Sequence, residues 1–125
     1  MIIAAYCALG LLGALSIFQL ALLVGAPLGR FAWGGAHRVL PVKLRAGSGF
    51  ALLLYALFAA LITSASGLWV VIDQPTIVAV GLWVTAAYMT LGVAMNAISR
   101  SKPERFVMTP TAFVLAVCFY VLALS

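Results

Sequence analysis

Long apolar runs constrain this chain more than any other feature. Three of them, 2–24, 49–72 and 77–98, are long enough to cross a bilayer, since a helix of ~18 or more uncharged apolar residues spans the hydrocarbon core. A shorter fourth run occupies 106–124. The sequence therefore predicts an all-α protein built as a four-helix transmembrane bundle.

Composition supports a membrane solvent for the whole chain. Hydrophobic residues make up 66% and charged residues 7%, against ~45–50% and ~25% in a soluble domain. With 125 residues, we expect one bundle over 1–125 and no separate extramembrane domain. The first run exceeds the ~7–15 residues of a signal-peptide core, so it is expected to be a retained span.

Prolines and capping residues place the helix boundaries. Ser48 is a good N-cap for the second span, and Pro75 suits the first position of the third. Thr109 and Pro110 offer the same device for the fourth. The expected spans are about 2–24, 48–67, 75–98 and 106–124.

The basic residues predict the orientation. They fall in only two loops, whereas the loop around Asp73 has none. Because Lys and Arg of short loops stay in the cytoplasm, both basic loops should face the cytoplasm and both termini the outside. The net charge of +5 then reflects topology or anionic lipid, and no nucleic-acid partner is expected.

The loop after the first span is longer and richer in chemistry than a plain connection needs. It contains Phe31, Trp33, the pair Gly34 and Gly35, and four cations. Its backbone N–H groups at the glycines could approach an anion closely. One hypothesis is a headgroup site for an anionic lipid or phosphorylated ligand, and the other is that the cations only anchor topology. The headgroup hypothesis involves Arg30, Trp33, His37, Arg38, Lys43, Arg45, Arg100 and Arg105.

The third span carries a row of small and polar residues on one helix face. Gly81, Thr85, Tyr88 and Gly92 follow at steps of four, three and four, and Asn96 continues the row. Small residues let helix backbones approach, and hydroxyl or amide groups can hydrogen-bond between helices. We therefore expect this face to be a helix contact.

Four polar residues of the first three spans suggest a pocket beside this face of the third span. Gln19, Tyr55, Tyr88 and Asn96 could line a weakly polar pocket that opens toward the cytoplasm. The alternative is that they hold the bundle together. No charged residue lies in the middle of a span, which argues against proton-coupled transport.

The sequence gives little support for a metal site, a cofactor site or a catalytic residue. His37 is the only histidine, and the two acids, Asp73 and Glu104, are expected on opposite sides of the membrane. Glu104 is expected to pair locally with Lys102 or Arg105. No metal, no cofactor and no catalytic residue is predicted, and an enzyme is the less favoured hypothesis.

Cys7 and Cys118 lie in the first and fourth spans, toward the same membrane face. A disulfide between helices is one interpretation. The other is that both are small buried apolar residues, as free cysteines commonly are.

Three strings resemble an uncharacterised family of small bacterial four-span integral membrane proteins. They are GAPLGRFAWGG at 25–35, LPVKLRAGS at 40–48 and NAISRSKPERFVMTP at 96–110. The resemblance implies four spans and a bacterial inner membrane, and it supplies no functional residues.

Two functions remain open on these grounds. The first is a non-enzymatic membrane component that packs with itself or a larger membrane-protein partner and contacts membrane lipids, anionic ones in particular, through its basic loops. The second is a small carrier or lipid-modifying protein with a site between the cytoplasmic ends of the helices. A cavity lined by Gln19, Tyr88, Asn96 and Arg45 would favour the second.

Overall fold

The computed structural model describes residues 1–125 as four long helices without strands. All four are long and apolar enough to cross a membrane, which confirms the predicted all-α, four-helix architecture. The helices are α1 (Ile2–Leu23), α2 (Val42–Ser66), α3 (Pro75–Ala97) and α4 (Thr109–Leu124). A π-helical turn, Glu104–Met108, leads directly into α4.

The helices form two closely packed pairs. The most extensive contacts join α1 to α2 and α3 to α4, and contacts of α1 with α4 and α2 with α3 close the bundle. Large apolar side chains cover its outer surface, such as Ile17 at 73% and Leu53 at 70% exposure. Such a surface is expected where lipid tails, which are as apolar as Leu, replace water.

The buried core lies in only one half of the bundle. It combines the first half of α1, around Ala5 and Ala8, with the second half of α2, around Ile62. Phe119 of α4 is fully buried there, and its ring packs edge-on against Phe58 at 6.0 Å between centroids. This packed half holds both chain termini, and the other half is the one that carries the two basic loops.

Helix α2 begins earlier than the expected Ser48. Pro41 has extended backbone angles and precedes the first helical residue, Val42. Ser48 is therefore not a cap but a buried side chain, 3% exposed, inside the helix. The strong helix formers Lys43 and Arg45 explain why helix continues through this segment. The 25 residues of α2 span about 37 Å at ~1.5 Å per residue, longer than a ~30 Å hydrocarbon core.

The start of α4 also differs from the expectation. Thr109 is already helical and makes no capping bond, because the π-helical turn continues the helix upstream. Pro110 has no N–H to donate to the preceding turn, and a wider π turn is one way a helix accommodates such a gap. With this turn the fourth span covers Glu104–Leu124, 21 residues, and begins two residues before the expected 106–124.

Only the first part of the expected contact face of α3 packs against another helix. A side-chain carbon at Gly81 would lie 2.7 Å from a methyl group of Leu61, so α2 and α3 do approach closely there. At Gly92 there is nothing within 4 Å, and Tyr88 is 53% exposed. The expectation that Gly92 lets two helix backbones approach each other was wrong, because this end of the row faces open space.

The cysteines do not form a disulfide. Cys118 is buried in α4, whereas Cys7 is exposed on α1, and both are free thiols. The interpretation as a small buried residue therefore describes Cys118 and not Cys7.

Candidate functional site

A cavity of about 520 Å³ lies between the four helices in the half of the bundle next to the basic loops. The four polar residues that were expected to line a pocket all contribute to its wall: Gln19 from α1, Tyr55 from α2, and Tyr88 and Asn96 from α3. Ligand sites in proteins typically measure ~300–1,000 Å³ and combine an apolar wall with a few polar groups. The volume and the lining both match that pattern.

The polar groups of the cavity come from each side of the bundle. Gln19 and Tyr55 face the chamber from α1 and α2. The Asn96 side-chain Nδ2 donates to the Gly92 carbonyl in its own helix at 2.8 Å, and the Asn96 side-chain Oδ1 accepts no hydrogen bond from the protein. Asn96 therefore presents a free acceptor in a weakly polar chamber.

Aromatic rings make up much of the remaining wall. Phe18, Phe50, Tyr55 and Tyr88 come from the helices, and Phe31 and Trp33 come from the loop between α1 and α2. Phe18 and Phe31 meet edge-on with 6.3 Å between ring centroids. The ring of Phe31 thus closes one end of the chamber, and Trp33 lines the same end while remaining 55% exposed.

The loop between α1 and α2 is tightly folded where it covers the cavity. Its short helical turns are Gly29–Phe31 and Trp33–Gly35. The Gly29 N–H donates to the Arg38 carbonyl at 2.9 Å, which ties the first turn to the returning chain. A side-chain carbon at Gly29 would collide with the backbone carbonyl of His37. Only glycine fits this backbone crossing, and the crossing positions Phe31.

Glu104 joins this loop to the loop between α3 and α4. Its Oε2 accepts the Gly34 N–H at 2.8 Å and the Ser99 hydroxyl at 3.0 Å. The expectation that Glu104 pairs with Lys102 or Arg105 was therefore wrong. Gly34 does approach an anion, as its N–H was expected to do, but the anion is a carboxylate of the same chain.

A second contact strengthens the connection between the two loops. The Ser101 hydroxyl donates to the Arg30 carbonyl, and a side-chain carbon at Gly35 would lie 2.7 Å from the Ser101 Cβ. Trp33, Gly34 and Gly35 all have positive φ, at 52°, 68° and 74°. A left-handed conformation is costly for a tryptophan. We call this assembly of 33–35 with Ser99, Ser101 and Glu104 the loop clasp.

The structure does not gather the predicted headgroup residues into one site. Of the eight, only Trp33 lines the cavity. The Arg30 guanidinium lies over the Phe31 ring and that of Arg105 over the Phe106 ring, each at 5.0 Å. The side chains of His37, Arg38, Lys43 and Arg100 are exposed at the same end of the bundle.

Arg45 has a structural position away from the cavity. Its Nε donates to the Leu40 carbonyl at 2.9 Å, and its guanidinium packs against Gly25, just beyond the end of α1. A cation there interacts favourably with the carboxyl end of a helix. The expected cavity of Gln19, Tyr88, Asn96 and Arg45 is therefore present without Arg45.

A smaller apolar cavity of about 280 Å³ adjoins the first one between α1 and α4. The two share Leu15, Phe18, Phe31, Met108 and Thr111 as lining residues. Since the shared residues form a common wall, an elongated apolar molecule could extend from one cavity toward the other by displacing side chains.

Sequence reasoning missed three contributors to the cavity. Phe18 and Phe50 were indistinguishable from lipid-facing residues in apolar runs that have little helical periodicity. Glu104 was expected to pair with a neighbouring cation. Its actual partner, Gly34, is 70 residues away in the sequence, so no local pattern could indicate the contact.

No family model, curated protein or solved structure matches the chain. The fold and its apolar surface define a small multi-pass integral membrane protein with a cavity between its helices.

Proposed function

We propose that the protein binds an amphipathic small molecule in the cavity between its four helices, as a small carrier or lipid-binding protein of the membrane. One observation carries the proposal: Gln19, Tyr55, Tyr88 and Asn96 converge from three helices on one chamber of about 520 Å³. The chamber is open at its side, since the wall residues Phe50 and Leu91 are 62% and 61% exposed. A molecule could therefore enter it from the bilayer.

The location of the chamber suits a molecule that comes from the bilayer. Its wall is mostly apolar. Gln19, Asn96 and Glu104 lie toward the loop end, at the mouth, with Trp33, whereas Tyr55 and Tyr88 lie deeper, where both rings pack against the core residue Phe58. An amphipathic molecule has the same division into an apolar body and a polar head. The loop clasp would hold the mouth in shape around the head.

The test of this proposal is to fill the cavity without disturbing the helices. Gly92 lines the chamber, and its missing side chain leaves open space. We expect Gly92→Leu to remove a bound amphiphile that co-purifies with the wild-type protein, as detected by native mass spectrometry. The folded state should be kept, because the added side chain has room.

Gly10→Leu is the matched control for Gly92→Leu. Gly10 also has nothing within 4 Å of its missing side chain, but it lies on the exposed face of α1 and does not line the cavity. Gly10→Leu should retain the adduct. Equal adducts on wild type, Gly92→Leu and Gly10→Leu would show that the amphiphile binds outside the chamber.

Contact of the basic loops with anionic lipid is the second candidate function. The exposed side chains of His37, Arg38, Lys43 and Arg100 at one end of the bundle favour it. Each cation near an anionic surface contributes ~1 kcal/mol. This contact is compatible with a bound ligand, and the lipid-facing helix surfaces leave room for a second copy or a larger membrane protein as partner.

We further propose that the protein resides in a bacterial inner membrane with both termini outside. The two basic loops lie together at one end of the bundle, where the loop clasp joins them, and positively charged short loops stay in the cytoplasm. The cavity would then open toward the cytoplasmic leaflet.

Cysteine labelling tests this orientation. In a variant without Cys7 and Cys118, a cysteine at Gln74 should react with an impermeant maleimide applied to intact cells, and one at Lys102 should react only after lysis. Both positions are exposed in the loops. Labelling of Lys102 but not Gln74 in intact cells would reverse the orientation and place the cavity at the outer leaflet.

A further inference from the structure

The charges around the cavity distinguish between classes of amphiphile. Glu104 is the only charged side chain among the 24 lining residues, and no Lys, Arg or His contributes to the wall. Its Oε2 is held by Gly34 and Ser99, while Oε1 accepts no hydrogen bond from the protein. A fixed carboxylate therefore presents a free oxygen at the mouth of the chamber.

The rings near this carboxylate provide a second attraction for positive charge. Trp33 precedes Gly34, whose N–H is bonded to Glu104, so its ring and the carboxylate share the mouth of the cavity. Five further aromatic rings line the chamber. The face of an aromatic ring is electron-rich and attracts ammonium groups, most strongly when water is excluded.

The two basic residues nearest the mouth stack on aromatic rings, and one of these rings, Phe31, belongs to the cavity wall. The guanidinium groups of Arg30 and Arg105 lie over Phe31 and Phe106, and neither residue lines the cavity. An anionic head in the chamber would face the Glu104 carboxylate, and no cation lines the wall to balance it. Like charges at close range repel each other, so the mouth disfavours an anionic head.

From these observations we infer that the ligand is an amphipathic cation, with an ammonium, quaternary ammonium or similar head beside Glu104 and Trp33. Its apolar body would lie along the apolar wall, toward Leu54, Met89 and Leu115 at the packed half of the bundle. This inference rests on the proposed function, because it specifies the charge of the molecule that the cavity takes.

The test uses two probes of similar shape and opposite charge, tetraphenylphosphonium and tetraphenylborate. Binding to the full-length protein in nanodiscs of zwitterionic lipid is measured by equilibrium dialysis. Binding to the cavity is defined as the part that Gly92→Leu removes, which corrects for partition into lipid. We expect the cation to bind the cavity about tenfold more tightly than the anion. The difference would come from one ion contact with Glu104 and one or two cation–π contacts with the aromatic rings.

Two variants examine the source of the preference. Glu104→Gln keeps an oxygen that can accept the Gly34 N–H but removes the charge, and it should abolish most of the preference for the cation. Trp33→Leu keeps apolar bulk and should weaken only the cation, which provides a second test if Glu104→Gln does not fold.

The outcomes separate this inference from the proposed function. Equal cavity binding of both probes, or a preference for the anion, would overturn the assignment of a cation and leave the cavity as a binding site. Absence of cavity binding for either probe would also overturn it, while the co-purified amphiphile decides the proposed function independently.

Discussion

Gly29→Ala is expected to destabilise the protein by about 3 kcal/mol, a cost typical of added volume in a packed site together with a lost hydrogen bond. The new methyl group would overlap the His37 carbonyl and lie 2.8 Å from the Arg38 carbonyl oxygen. Both neighbours are backbone atoms, so they cannot move aside as a flexible side chain would. The bond from the Gly29 N–H to Arg38 would have to break.

Unfolding by titration with sodium dodecyl sulfate measures this effect. Gly10→Ala is the control, since Gly10 is an open position in α1 where alanine favours helix by up to ~1 kcal/mol. We expect the control to unfold at the same detergent fraction as wild type or a higher one. If Gly29→Ala matched the control, the first loop would not have the described backbone crossing.

Phe119→Ala is expected to cost on the order of 2–3 kcal/mol through the void it leaves in the core. Phe119 is fully buried and packs against Phe58, and lipid cannot reach the site to fill the space. The expected loss is mainly one of packing, because lipid tails are as apolar as the side chain and the transfer contribution is small.

Phe113→Ala in the same helix provides the comparison. Phe113 is 57% exposed on the outer surface, where lipid can replace the lost ring. The loss there should stay below ~1 kcal/mol, as for most surface substitutions. Similar losses at both positions would mean that α4 does not present Phe119 to the core, and the division into a packed half and an open half would be wrong.

The fold could be predicted from the sequence because bilayer thickness fixes the length of an apolar helix. Pro75 marks the start of α3 correctly, since proline fits the first helical turn. Ser48 and Thr109 were misleading because each has a residue type suited to capping but lies within a helix that extends upstream. The helix propensity of the residues before Ser48 moved the start of α2 upstream, and the π-helical turn before Thr109 did the same for the fourth span.

The site could be predicted only in part. The polar residues Gln19, Tyr55, Tyr88 and Asn96 stand out within apolar spans, and the structure places all four around one cavity. Gly92 looked like a contact residue because small residues serve both for close packing and for open space, and spacing does not distinguish the two. The loop clasp depends on residues 70 positions apart, and no local pattern encodes such a pairing.

The central claim, that the chamber between the helices is a binding site, is tested most directly by the fluorescence of Trp33. Trp33 lines the cavity, whereas Trp69 and Trp83 do not, so Trp33 is the only tryptophan left to fluoresce in a variant with Trp69→Phe and Trp83→Phe. Titration of this variant with a brominated single-chain ammonium amphiphile should quench its fluorescence to saturation, and Gly92→Leu in the same background should remove the saturable part. Quenching that rises linearly without saturation and is unchanged by Gly92→Leu would contradict the account, because the amphiphile would then reach Trp33 only from the surrounding lipid.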